Sequence, residues 1–111
     1  MAKIVGSFYL RKTDSGNLLG EFTNNVRFTV STENADLKEA GDVPYVGRYL
    51  STWLEGGIPH TAELVIDHLE NAETCGKHYK LVWTGEDNKP IYEAEALLAE
   101  DVLVGHYISL S

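Results

Sequence analysis

The stretch YKLVWTGEDNKPIYEAEALLAEDVLVGHY, residues 79–107, decides the reading of the whole chain. Tyr79, Leu81 and Trp83 recur at every second position, which is the pattern of a β-strand with one buried face. The segment GEDNKP, residues 85–90, then gathers turn formers: glycine reaches positive φ without steric cost, and Asp and Asn side chains bond to nearby backbone. Tyr92, Ala94, Ala96 and Leu98 resume the alternation toward the same interior. A second turn, AED at 99–101, leads into Val102, Val104 and Ile108, which are assigned to the inner face. The stretch therefore reads as two β-hairpins. Glu93 and Glu95 fall on the opposite, outer face of their strand, about 7 Å apart by strand geometry. General acid–base work requires a desolvated pair, and an outward face leaves these two carboxylates in water.

The same period extends upstream. Lys3 to Arg11 places Ile4, Phe8 and Leu10 on one face, and residues 13–17, TDSGN, form a turn. Leu18 to Thr23 follows, then Asn24-Asn25 as a tight turn. Val26, Phe28 and Val30 alternate with Arg27, Thr29 and Ser31, the cleanest half-buried strand in the chain by pattern. ENADLKEAGD, residues 33–42, reads either as a short helix capped by Asn34 over Ala35 to Ala40 and closed by Gly41, or as a polar loop. Alternation returns from Tyr45 to Trp53, from Ala62 to Leu69, and from His78 to Thr84, broken by EGGIPH and ENAETCGK. Pro90 to Leu98 and Val102 to Leu110 complete the set.

About eight short strands at regular spacing, with at most one short helix near residues 34–40, predict an all-β fold. Short connections favour an antiparallel up-and-down meander, because sequential strands usually pair. Closing eight strands into a barrel removes the exposed edges; a two-sheet sandwich is the other arrangement compatible with the pattern. Residues 1–111 are expected to form a single β-barrel domain.

Charge and cysteine content limit function. The net charge is −8, and the nine Lys and Arg residues are scattered, so the footprint that phosphate-backbone binding requires is missing and no nucleic acid is expected as a partner. One cysteine, Cys75, allows neither an intrachain disulfide nor a cysteine-built zinc site. MAKIVGSFYL lacks the basic-then-apolar order of a signal peptide, and no run approaches the roughly 18 apolar residues of a membrane helix. A cytoplasmic location and no membrane association are the expectations.

In length, strand number and meander pattern the chain resembles the calycin group of small barrels: lipocalins, fatty-acid-binding proteins and avidins. Gly6-Ser7-Phe8 stands where lipocalins carry Gly-x-Trp, with Phe in place of Trp. Tyr107 is similar in place to the C-terminal Tyr of fatty-acid-binding barrels, but His106 precedes it and the accompanying Arg is missing. Gly47-Arg48-Tyr49 and Leu103-Val104-Gly105-His106 resemble avidin fragments, without the tryptophan series that stacks on biotin. The resemblance implies a calycin-like barrel and does not imply a particular ligand.

For chemistry the chain offers little. His60, His68, His78 and His106 are not spaced as a chelating pair, so no metal is expected. Cys75 sits beside Gly76 and Lys77 in a polar loop with no fixed base, and neither a Gly-x-Ser-x-Gly elbow nor a phosphate loop occurs. No catalytic residue and no cofactor are assigned. What remains is aromatic: Phe8, Phe22, Phe28, Tyr49, Trp53, Tyr79, Trp83 and Tyr92 fall on inner faces. The expected function is a non-enzymatic barrel that holds a small, partly apolar ligand. Tyr49, Trp53, Tyr79 and Trp83 would supply contact area, and Arg48 or His106 polarity. The alternative is an interaction or regulatory module acting through its outer surface or as a homodimer, with Val46, Leu50, Val65, Leu69, Val82 and Leu103 on that surface; an enzyme comes third.

Overall fold

The computed structural model describes residues 3–26, 29–69 and 78–110. Eight strands follow one another: β1 (Val5–Lys12), β2 (Leu18–Asn24), β3 (Ser31–Ala40), β4 (Gly47–Glu55), β5 (Ile58–His68), β6 (His78–Thr84), β7 (Pro90–Ala99) and β8 (Val102–Ser109). Each pairs antiparallel with its sequence neighbours, and β8 returns to β1, from Val5 opposite Ile108 to Arg11 opposite Val102, closing the barrel. Closure leaves no strand edge to recruit another chain. The protein is therefore an all-β, eight-stranded antiparallel meander barrel.

The turns follow from local chemistry. Glu100 and Asp101 both have positive φ between the paired residues Ala99 and Val102, as do Gly56 and Gly57 between Glu55 and Ile58. Two successive positive φ values define the hairpin turn whose twist matches the flanking strands. At residues 13–17 the Thr13 N–H bonds to the Asn17 carbonyl at 2.8 Å, and Gly16 takes the left-handed position.

Three expectations are corrected. No described residue between Asn24, where β2 ends, and Ser31, where β3 begins, belongs to a strand, and Val26 and Val30 are exposed. The asparagines do not form the expected tight two-residue turn, because Asn24 Oδ1 accepts the Val26 N–H and Asn25 Oδ1 accepts the Val5 N–H, and β2 pairs with β3 across a longer connection. Phe28, the centre of that expected strand, lies outside the described residues, as does Cys75. The strand that completes the eight is β3, Ser31–Ala40, where a helix or polar loop was expected. A turn and a half of helix is marginal alone, whereas a strand here pairs with β2 and β4, filling what would be a gap in the barrel. A bulge between Leu37 and Glu39 absorbs the polar Lys38.

The third correction is one of register. The last turn has two residues, so Leu103 lies opposite Leu98 and Leu10, and points inward with Tyr107. Val104 and Ile108 are exposed. A one-residue slip moves every side chain to the other face, and a strand with apolar residues on both faces does not reveal it. Leu103 thereby leaves the expected outer set.

The core runs the length of the barrel. Leu10, Leu18, Leu64, Ile66, Leu81 and Leu103 are wholly inaccessible. One end, at the β1–β2, β3–β4 and β7–β8 connections, is shut by Tyr45. This residue of the β3–β4 connection has a positive φ and sends its ring across the opening. Its hydroxyl donates to the Asp101 carbonyl at 2.6 Å and accepts the Lys12 N–H at 3.1 Å, tying three connections together.

Candidate binding site at the open end

The opposite end of the barrel is bounded by the start of β1, the ends of β2, β4, β6 and β8, and the starts of β3, β5 and β7. It contains a cleft lined by Phe8, Phe22, Asn24, Glu33, Trp53, Glu55, Trp83, Tyr92 and Tyr107. The cleft holds about 380 Å³ of space continuous with solvent, of which about 30 Å³ can take the centre of a water-sized sphere. A water needs at least about 10–15 Å³ on that measure. The mouth is open but slender. At the opposite end a second depression, lined among others by Lys12, Leu37, Tyr45 and Tyr49, lies beside the Tyr45 plug. Between the two ends the interior is filled by wholly buried leucine and isoleucine side chains.

The strand period places each lining group. Trp83 precedes Tyr92 across the β6–β7 hairpin, and the two pair directly; Tyr107 on β8 pairs with Gly6 and Ala94. Small neighbours make room for the ring: a Cβ at Gly6 would sit 2.5 Å from Tyr107 and 2.2 Å from the Thr23 carbonyl. The rings then meet edge to face, as their quadrupoles favour. Phe8 and Trp83 are 5.8 Å apart at 88°, Tyr92 and Tyr107 5.5 Å apart at 88°, and Phe22 and Tyr107 6.2 Å apart at 78°. Trp53 stacks on His60 at 5.8 Å and 17° at the rim. Asn24 Nδ2 donates to the Tyr107 hydroxyl at 3.0 Å, and burial pushes that phenol up to about 12.

Glu33 is the polar centre of the cleft. On β3 it lies opposite Gly20 and Trp53 and is only 5% exposed. Trp83 Nε1 donates to Glu33 Oε2 at 2.8 Å, and the Ser51 hydroxyl donates to the same oxygen. Burial raises the Glu33 carboxyl above the usual carboxylate range, and the bonds from Ser51 and Trp83 oppose that rise only in part. Among the described residues no Lys, Arg or His forms an ion pair with it. Nor does any group of three His, Cys, Asp or Glu among them have the geometry to hold a metal ion.

Of the residues expected to bind a ligand, Trp53 and Trp83 line the cleft. Tyr49 and Tyr79 are buried toward the shut end: Tyr49 donates to the Tyr45 carbonyl at 2.8 Å, and Tyr79 packs on Tyr45 and His68. Desolvation pushes the Tyr49 hydroxyl up to about 12. Arg48 is on the outer face, paired with Glu39 at 3.3 Å and Glu63 at 3.7 Å, and His106 is exposed on the outer face of β8. The structure thus separates the six into a cleft pair, a shut-end pair and an outer pair. Glu33, Asn24 and Glu55 were missed. Reading 31–40 at period two would have aligned Glu33 with Ala35 and Leu37 and shown a carboxyl on an inner face.

Glu93 and Glu95 are half-exposed on the outer face, beside Lys80 at 3.7 Å and His78 at 3.6 Å respectively. No protein-family model, curated protein or solved structure matches this chain.

Proposed function

We propose that the protein is a calycin-like binding barrel that takes a small, partly apolar ligand at its open end. The observation that carries this reading is the asymmetry of the interior. At one end Tyr45 caps the core and leaves a depression whose aromatic lining is Tyr45 and Tyr49 alone, whereas the other end leaves a solvent-connected cleft of six aromatic side chains around a buried carboxyl. A barrel serving only as a scaffold gains from packing both ends alike, because unfilled space forfeits dispersion contacts. An apolar cleft with a few convergent polar groups is the usual form of a small-molecule site.

Both tryptophans of the chain line the cleft, so intrinsic fluorescence reports on it without added probes. Titration with small aliphatic and aromatic compounds is expected to give saturable changes in emission, lost in Trp53→Ala. No change with any compound overturns the reading.

A second reading, a homodimer acting through the outer surface, is favoured by one observation. Val5 pairs with Ile108, and Leu97 with Val104, and all four are exposed on adjoining strands β1, β8 and β7. Such a stripe suits an isologous contact with a second copy. Sedimentation at micromolar concentration tests it: a clean 12.3 kDa monomer rejects the dimer.

A further inference from the structure

Resting on the reading of the open end as a ligand site, we propose that its ligand is an organic cation, a primary ammonium group on a short apolar body, with the ammonium seated against Glu33. Three features of the cleft converge on this chemistry. First, the charged groups of the lining are both acidic, Glu33 within and Glu55 as well, and no Lys, Arg or His is among them. A carboxylate ligand would meet uncompensated repulsion there, which disfavours binding strongly in a dry site.

Second, Glu33 is held for a partner. Its two hydrogen bonds, from Ser51 and from Trp83, both end on Oε2, while Oε1 receives none among the described residues. The fixed donors orient the carboxyl and leave one oxygen free for an N–H donor. Protonated, Glu33 carries its proton on that oxygen; an arriving ammonium displaces it, so formation of the ion pair releases a proton to solvent. Third, six aromatic side chains surround the carboxyl. Ring faces attract cations through their quadrupoles, most strongly where water is excluded. The narrow space, near 30 Å³ for a water-sized sphere, admits a primary ammonium and discriminates against bulky quaternary heads. The net charge of −8 draws cations toward the surface before they reach the cleft.

The test compares n-butylamine, n-butanol and n-butyrate, three probes of one apolar body and different charge, by tryptophan fluorescence on the intact protein at neutral pH. The expected result is butylamine binding about tenfold or more tightly than butanol, with butyrate undetectable, a tenfold ratio being about 1.4 kcal/mol. Butanol or butyrate binding as well as butylamine overturns the cation assignment and leaves the binding-site reading standing. No response to any probe overturns both. Glu33→Gln keeps an acceptor for Ser51 and Trp83 but removes the charge, and is expected to abolish the preference for amine over alcohol. Glu95→Gln, on the outer face, is the matched control and keeps it. Butylamine affinity is also expected to rise as pH is raised through the folded-state value of Glu33, which burial holds above the ordinary one; a profile flat from acid to mildly alkaline pH overturns the assignment.

Discussion

The two ends of this barrel are built from the same strands and the same kinds of side chain, yet one is a plug and the other a cleft. At the shut end an aromatic ring enters from a loop, and its hydroxyl satisfies a backbone carbonyl and a backbone N–H belonging to two other connections. At the open end the rings come from the strands themselves. They crowd one another edge to face, and the polar group among them is a side-chain carboxyl. The difference lies in who satisfies the polar atoms. Tyr45 is fully engaged by the fold, whereas Glu33 is engaged through one oxygen only. A polar group used up by the protein stabilises it; one used in part is available to a ligand.

The strongest way to break this comparison is at Trp83, which belongs to both the core and the cleft. Trp83→Ala should cost about 3–5 kcal/mol in urea unfolding, through lost burial, a cavity, and a Glu33 deprived of a donor. A loss under about 1 kcal/mol would mean that the open end contributes little packing. Next comes the plug. Tyr45→Phe leaves the Asp101 carbonyl and the Lys12 N–H without the hydroxyl, and should cost about 1–3 kcal/mol. Ligand titrations at the open end should be unaffected, and a coupled change would show that the ends are not independent.

Glu33 sharpens the comparison through pH. Its folded-state pKa lies above the ordinary 4.5, so the folded protein holds this proton more tightly than the unfolded chain. The associated stability is fully present below the unfolded value and is lost as pH rises through the folded one. Thermal unfolding midpoints should therefore show a decline over that window in the native protein and none attributable to this site in Glu33→Gln. The variant should be at least as stable at neutral pH, and a variant less stable there would mean that the ionised carboxylate is itself stabilising. The smallest effect is expected on the outer face. Replacing Glu93 and Glu95 together by Gln should change stability by no more than about 0.5 kcal/mol, since exposed ion pairs contribute little. A variant that unfolds would place those carboxylates elsewhere.

What could be read from the chain was the strand period. Tyr79, Leu81 and Trp83, then Ala94 and Ala96, are buried as their alternation requires, and the count of eight strands holds. It holds even though one strand lies a few residues from its expected place. Val26, Phe28 and Val30 have the better pattern, but asparagine side chains at 24 and 25 take up backbone donors and release the chain from β2. Likewise, with apolar residues on both faces of β8, the pattern assigned Val104 and Ile108 to the inner face, and the two-residue turn puts Leu103 and Tyr107 there instead.

By itself the sequence determined an all-β fold, because a period of two and frequent turn residues are local properties that survive in any context. It also determined that the interior would be aromatic. The tertiary structure alone decided that residues 31–40 are a strand, since only pairing with β2 and β4 outweighs their weak local preference. It alone decided that Glu33 stands within hydrogen-bonding reach of Ser51 and Trp83, which are 18 and 50 positions away along the chain. Burial and unequal satisfaction of a carboxyl are set by neighbours brought from distant strands, and closure of the barrel supplies those neighbours.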